Sequence, residues 1–270
     1  VKIGGRDFDF GTRTYIMGIL NVTPDSFSDG GLYDSSGAAV ERALQMEAEG
    51  ADIIDIGGES TRPGHTPVDA GIELDRILPV LRALRDRLRI PVSVDTSKAE
   101  VADAALAEGA SMINDVWGFR RDPEMAPTAV RRGAVCCLMH NKERAVYTDL
   151  CGEIEEGLQQ SADIALAAGV PREHIILDPG IGFGKTPEHN IVVLHHLRRF
   201  TALGYPLLLG ASRKSVIGKV LDLPVDDRLE GTLALTALAV QAGIGIVRVH
   251  DVLANRRAAA MADAVVRGGE

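Results

Sequence analysis

Cysteine is scarce in this chain of 270 residues: there are three, and two of them, Cys136 and Cys137, are adjacent in an apolar run. That spacing gives neither a disulfide framework nor a CxxC pair, and a reducing cytoplasm suits it. Cationic charge is in deficit, with 29 Lys and Arg against 38 Asp and Glu and a formal charge of -9. An extended nucleic-acid or anionic-membrane surface has the opposite sign, so neither partner is expected and any anion must be met by a local cluster. Long apolar runs are missing too. The longest uncharged stretch, 231–247, contains Thr232, Thr236, Gln241, Gly243 and Gly245 and stops at Arg248, which reads as helix, turn and strand rather than a span. No charged n-region leading into an apolar h-region opens the sequence, while an initial Val fits a trimmed start, so a removed leader stays open.

Familiar nucleotide and metal motifs are also absent. The segment Gly180-Ile-Gly-Phe-Gly184-Lys185-Thr186 approaches a P-loop, but the spacing needs Gly where Pro179 stands. No GxGxxG follows the first strand, and His195-His196 has no HExxH partner set, which leaves that pair as solvated helix surface. The run Leu81 to Arg89 reads as a charged helix face.

What is present is ordinary globular composition, 46% hydrophobic and 25% charged, with one motif repeated along the chain. Short β-branched runs, each followed by a Gly, Asn, Asp or His cluster and then by an Ala/Leu/Glu/Arg segment, predict strands at 15–20, 52–56, 91–94, 111–113, 134–139, 174–177, 206–209 and 246–249. Helical periodicity falls at 36–49, 70–88, 98–108, 123–132, 153–168, 188–203, 227–242 and 252–266. Eight strands, largely apolar as a parallel sheet buried on both faces requires, alternate with eight helices and predict an α/β fold, a single (β/α)8 TIM barrel over 1–270, with a doubly wound open sheet as the competitor. Gly4-Gly5 between two short runs predicts an N-terminal β-hairpin within 1–14 that plugs the barrel bottom.

Active sites of such barrels lie at the C-terminal ends of the strands, and there every strand delivers polar groups. They are Asn21; 57–62; Asp95; Asn114 and Asp115; His140 and Asn141; Asp178; 212–214; and Arg248 with His250. Singly, Asp95 could cap a helix and Asp178 could make a turn, but caps and turns do not require eight polar groups at one mouth. Arg62, Lys214, Arg248 and His250, with Thr61 and Ser212, suit a phosphate or diphosphate, because guanidinium forks bind its oxygens bidentately. Asn21 could add a neutral oxygen to a Mg2+ that keeps most of its waters. Asp95, Asn114 and Asp178 offer acceptors to a flat heterocycle rich in N–H donors, with Lys214 as a donor to it. Phe183 and Met139 either pack on that ring or belong to the core.

Two long segments, Ile16-Met-Gly-Ile-Leu-Asn-Val-Thr-Pro-Asp-Ser-Phe-Ser-Asp-Gly-Gly31 and Gly50-Ala-Asp-Ile-Ile-Asp-Ile-Gly-Gly-Glu-Ser-Thr-Arg-Pro63, resemble the signatures of the dihydropteroate synthase family of pterin-binding enzymes. The likeness continues through 94–96, 113–115, 138–140, 177–183, 210–215 and 247–251, essentially the whole chain. The resemblance implies a (β/α)8 barrel that joins 6-hydroxymethyl-7,8-dihydropterin diphosphate to 4-aminobenzoate, releasing pyrophosphate, with sulfonamides as inhibitors. Carried over by motif, Asp95, Asn114, Met139, Asp178, Phe183 and Lys214 would hold the pterin. Asn21, Thr61, Arg62, Arg248 and His250 would hold the diphosphate, with Asn21 at Mg2+. Phe27, Pro63, Phe183 and Ser212 would frame the aminobenzoate, and Asp29 would meet its amine. The catalytic set would be Asn21, Thr61, Arg62, Asp95, Lys214, Arg248 and His250, and the loops 21–34 and 57–68 would close over the diphosphate. A homodimer through the later helices is also implied, although the stretch 232–240 could instead bury against its own barrel. A corrinoid-linked, pterin-dependent methyltransferase would share the barrel but has no diphosphate to bind, and a non-catalytic pterin-binding paralogue would share the pterin set. Trp117, where the family more often has a small residue, either edges the pterin pocket or covers the rim. The segment 141–150 carries no assignable chemistry.

Overall fold

The computed structural model describes residues 1–23, 32–59 and 68–268, with the backbone alone at 32–35. The chain begins with an antiparallel hairpin, β1 (Lys2–Ile3) and β2 (Arg6–Asp7). Strand and helix then alternate: β3 (Tyr15–Asn21), α1 (Leu32–Ala48), β4 (Ile53–Gly57), α2 (Ala70–Leu84), β5 (Val92–Asp95), α3 (Ala99–Ala107), β6 (Met112–Asp115), α4 (Met125–Arg132), β7 (Val135–Met139) and α5 (Leu150–Ala168). The second half adds β8 (Ile175–Asp178), α6 (Pro187–His195), α7 (Leu197–Phe200), β9 (Leu208–Leu209), α8 (Ser215–Leu221), α9 (Leu229–Ala242), β10 (Ile246–Val249) and α10 (Val252–Arg267).

The eight long-sheet strands pair in parallel in the order β8-β7-β6-β5-β4-β3-β10-β9. A bridge from Leu177 to Leu207, with the Leu177 amide donating to the Pro206 carbonyl at 3.0 Å, joins the two ends and closes the barrel. Among the described residues no helix is long and apolar enough to cross a membrane.

The predicted order of elements is the observed one, with three local differences. The strand predicted at 206–209 is regular only at 208–209, since Pro206 has no N–H to give to the ladder. The helix predicted at 188–203 breaks at His196 into α6, α7 and a 3-10 turn. Helix α8 has no predicted counterpart, because seven residues are too few for a 3.6-residue period to stand out.

Two apolar clusters follow from the alternation of side chains along each strand. The larger lies between barrel and helices and holds Ile16, Leu20, Ile54, Ile56, Val94, Ile113, Leu177 and Val247. The smaller fills the lower barrel interior with Met17, Ile53, Met112, Val135, Cys137, Ile176, Leu208 and Ile246. Ile3 and Phe8 of the hairpin segment complete this inner cluster from below, so the hairpin does plug the barrel. The Phe8 and Tyr15 rings meet at 4.7 Å between centroids.

Candidate active site

One step of two residues up each strand changes the interior from apolar to polar. Ile53 is followed by Asp55, Met112 by Asn114, Ile176 by Asp178 and Ile246 by Arg248, while β5 carries Ser93 and then Asp95. Residues two apart on a strand face the same side, so each polar group sits directly above a floor residue. Asp55, Asp95, Asn114 and Asp178 are all buried. Register adds lateral order, because Asp95 lies beside Asn114 and Met139 beside Asp178. Gly57 at the top of β4 lies beside Asp95, whose Cβ would stand at van der Waals contact, 3.4 Å, from a Cβ added there.

Arg248 ties this layer together. Its Nε donates to Asp55 Oδ2 at 2.6 Å and its Nη2 to Asp95 Oδ2 at 2.7 Å, while Asn114 Nδ2 donates to the same Asp55 oxygen at 2.9 Å. The remaining carboxylate oxygens, Asp55 Oδ1 and Asp95 Oδ1, are buried without a hydrogen-bond partner. Orphaned acceptors of this kind are costly unless a ligand supplies donors. Burial pushes the Asp95 carboxyl up to about 7 against the attraction of Arg248, with the Asp55 charge adding to the rise. Burial also opposes the charge on Arg248, but Asp55 and Asp95 outweigh it and raise its pKa.

Near Arg248 stand Asp178 and Lys214. A Cβ at Gly210 would meet Asp178 Oδ2 at 3.8 Å, Lys214 Nζ at 3.9 Å and Arg248 Cβ at 4.0 Å, so the three groups converge on that glycine. Burial raises the Asp178 carboxyl and Lys214 opposes it; burial lowers Lys214 to about 8 and Asp178 opposes that. Asp178 Oδ1 accepts from the Gly180 amide at 2.7 Å. Lys214 Nζ donates to the Ile181 carbonyl and lies 4.5 Å from the Phe183 ring centroid. This arrangement presents carboxylates, an amide and an ammonium around a space two residues above a dry floor, which suits a planar heterocycle with several N–H groups.

Of the residues expected to hold a diphosphate, Asn21, Arg248 and His250 lie within the described part of the structure. His250 Nδ1 lies 2.9 Å from Ser212 Oγ, and the His250 amide donates to that hydroxyl at 3.2 Å. Arg213, between Ser212 and Lys214, turns away to pair with Asp251 through contacts of 3.0 and 2.6 Å. Asn21 ends β3 in register with Gly57. Phe27, Asp29, Thr61, Arg62 and Pro63, with the loop closure expected of 21–34 and 57–68, fall wholly or mainly outside the described residues. Trp117 is half-buried on the turn after β6, with the Arg121 guanidinium 5.3 Å from its ring centroid. His195 and His196 are exposed, as a solvated surface requires.

Among the described residues no group of three or more His, Cys, Asp or Glu could hold a metal ion. A Mg2+ bound mainly by protein carboxylates therefore does not fit there. A Mg2+ that keeps waters and takes oxygens from a diphosphate needs only one neutral donor, and the Asn21 amide oxygen has that chemistry.

Asp55 is the member of the site that the sequence reading misses. It is fully buried and accepts from both Arg248 and Asn114. Its signal is a carboxylate inside the apolar run Ile53-Ile54-Asp55-Ile56, since a charge on a strand buried on both faces needs a partner.

A family model for pterin binding enzymes matches residues 17–250. A dihydropteroate synthase of Clostridium beijerinckii is 52% identical over 268 residues, covering 99% of this chain and 100% of that protein. A crystal structure of dihydropteroate synthase from Clostridium difficile, determined in the presence of pteroic acid, superposes with a TM-score of 0.95 at 53% identity, over 97% of this chain and 100% of that one. The Yersinia pestis dihydropteroate synthase in complex with a sulfonamide drug gives a TM-score of 0.92 at 40% identity, over 98% of both chains.

Proposed function

The chain belongs to the pterin-binding enzyme family and is a transferase of the dihydropteroate synthase type, and we propose that it joins 6-hydroxymethyl-7,8-dihydropterin diphosphate to 4-aminobenzoate. The observation that carries the reading is Arg248, held on Asp55 and Asp95 and converging with Asp178 and Lys214 at Gly210. A pterin ring lying there brings N–H donors to Asp95 and Asp178, meets the Asn114 amide and takes a hydrogen bond from Lys214. Met139 and Phe183 bound it with apolar surface.

The diphosphate lies toward Arg248, His250 and Asn21, and Thr61 and Arg62 join its ligands by motif. The C–O bond breaks ahead of attack with its electron pair leaving on pyrophosphate, and the aminobenzoate nitrogen forms the new C–N bond while losing a proton to solvent. Arg248 and His250 neutralise charge developing on the departing diphosphate, and Asp95 with Asp55 favours the cationic pterin. Asn21 would hold a Mg2+, whose charge would further neutralise that leaving group. No covalent nucleophile is required. Phe27, Pro63, Phe183 and Ser212 frame the aminobenzoate, and sulfonamides, as its mimics, compete for that place.

A second copy of the chain belongs to this reading as a homodimer through the later helices. Thr232, Thr236, Ala239 and Val240 are buried within their own chain, which leaves Leu238, Leu253 and Met261 as apolar surface for it. Sedimentation equilibrium reads the assembly directly.

Pyrophosphate release from the dihydropterin diphosphate with Mg2+, measured with and without 4-aminobenzoate, tests the reaction. Release that depends on aminobenzoate, with dihydropteroate formed in equal amount, is the expected result. Pterin binding without release would replace it with a binding paralogue or a methyltransferase.

A further inference from the structure

Two loops, the second of which carries Phe183, are locked together at the barrel mouth. The first follows β7 and includes His140, Lys142 and Tyr147; the second follows β8 and runs from Gly180 to Lys185. Their backbones touch. A Cβ at Gly180 (φ 74°) would collide with the His140 carbonyl, and one at Gly184 (φ 54°) with the Lys142 carbonyl. Both positions have the left-handed backbone that glycine tolerates, so close approach and conformation demand the same residue. Tyr147 Oη donates to the Gly184 carbonyl at 2.8 Å, and a Thr186 capping box fixes the start of α6 just beyond.

At the centre is Lys185. Its Nζ donates to the Gly180 carbonyl at 2.9 Å and to the Phe183 carbonyl at 3.1 Å, and it lies 3.0 Å from His140 Nδ1. An ammonium has three N–H donors, and here they face three acceptors, provided His140 is neutral with its proton on Nε2. Burial, reinforced by Lys185 and Arg120, holds the His140 pKa down to about 2 and so keeps the ring neutral. With all three donors engaged, Lys185 has none left for a substrate. Lys214 differs, since it gives one donor to the Ile181 carbonyl of the same turn and its Nζ lies at Gly210 with Asp178 and Arg248.

We propose that Lys185 is a positioning residue for the pterin and aminobenzoate sites: it ties the turn 180–184 to the β7 loop and thereby fixes where Phe183 and Asp178 meet the substrates. Phe183 belongs to that turn, and Asp178 is joined to it by the Gly180 amide. The proposal rests on the functional reading above. Lys185 also carries charge toward Asp178, and burial brings its own pKa down to about 7. The charged groups facing it are Asp178 from β8, Lys214 from the β9 loop, Arg120 from the β6 loop and Lys142 from the β7 loop, with neutral His140 in contact.

The test compares wild type with Lys185→Met and Tyr147→Phe. Pteroic acid affinity is measured by calorimetry, and KM and kcat for the dihydropterin diphosphate are measured from pH 5.5 to 8.5. Loss of the Lys185 hydrogen bonds should weaken pteroic acid binding and raise KM roughly tenfold while kcat stays within about threefold. The acid limb of kcat/KM should move to higher pH in Lys185→Met, because Asp178 loses a neighbouring cation and takes up a proton more readily. Tyr147→Phe should raise KM about threefold with no shift of that limb. Folded Lys185→Met with unchanged affinity and pH profile overturns the proposal, as does a fall in kcat at unchanged KM. Should Lys185→Met not fold, Tyr147→Phe decides: weakened pteroic acid binding supports the tie and unchanged binding overturns it. A wild type that binds pteroic acid without turning over removes the functional reading instead, and the calorimetric comparison still decides the role of Lys185.

Discussion

The floor and the mouth of this barrel are made by the same strands, two residues apart, and their interiors are governed by opposite terms. Below, Ile53, Met112, Ile176 and Ile246 pack on Ile3 and Phe8 and exclude water, so burial there is favourable at each contact. Above, Asp55, Asp95, Asn114 and Arg248 are bound to one another, and two carboxylate oxygens remain buried without donors. Desolvating such charges costs about as much as their attraction returns, so this layer contributes little to the fold. The floor therefore holds the barrel closed, and the mouth keeps charges poised for a ligand to complete.

The sharpest break of that division is Arg248→Ala. It removes the cation shared by Asp55 and Asp95 and, in the proposed reaction, a charge that would stabilise the departing diphosphate. Turnover is expected to fall by about 10²- to 10³-fold, as when one oxyanion donor is removed. Binding of neutral pterin should weaken far less, and equal losses in kcat and pterin affinity would end the assignment to the leaving group.

Asp55→Asn sharpens the comparison from beneath. The amide keeps one acceptor but loses the charge that orients Arg248, and it places an NH2 where the guanidinium or Asn114 already donates. A hydrogen bond to a charged group is worth about 1.5–3 kcal/mol, so kcat/KM should drop roughly ten- to a hundredfold. Wild-type kinetics in Asp55→Asn would mean that Arg248 is held by Asp95 alone.

Titration of Asp95 separates folding from binding in one residue. Its pKa is raised from 3.8 to about 7, chiefly by burial and also by Asp55, Glu73 and Asp115, with Arg248 opposing. The folded protein thus binds this proton more tightly than the unfolded chain. Its contribution to stability is full below about pH 4 and is lost as pH rises through about 7. If the proposed pterin site uses the Asp95 carboxylate as acceptor, affinity should strengthen as that group ionises, by about tenfold from pH 6 to pH 8. Asp95→Asn isolates the effect from Asp115, which burial raises to about 6. Pterin affinity in wild type that is flat from pH 6 to 8 would contradict it.

The sequence carries much of this division openly. Apolar runs end in Asp, Asn or Arg on strand after strand, and the two-residue period places those ends on the interior face. Asp55 escapes notice because nothing in the order of residues says that Arg248, 193 positions away, will reach it. Lys185 escapes for another reason: a lysine after glycines reads as a failed P-loop, and its three acceptors come from two loops that only the closed barrel brings into contact. Helix α8 and the break at His196 are short-range features below the resolution of a periodic pattern.

The smallest effect belongs to the floor and is the one that makes the comparison strict. Ile176 is fully buried in the inner cluster, directly below Asp178 on β8. Ile176→Val removes one methyl group from a packed site and should cost about 0.5–1.5 kcal/mol of folding stability. The Asp178 backbone is held by β7 pairing, and its side chain by the Gly180 amide, neither of which involves the lost methyl. Turnover should therefore stay at the wild-type value while the denaturant midpoint falls. A drop in kcat comparable with the loss of stability would show that floor packing sets the height of Asp178, and that the two layers are one mechanical unit rather than two.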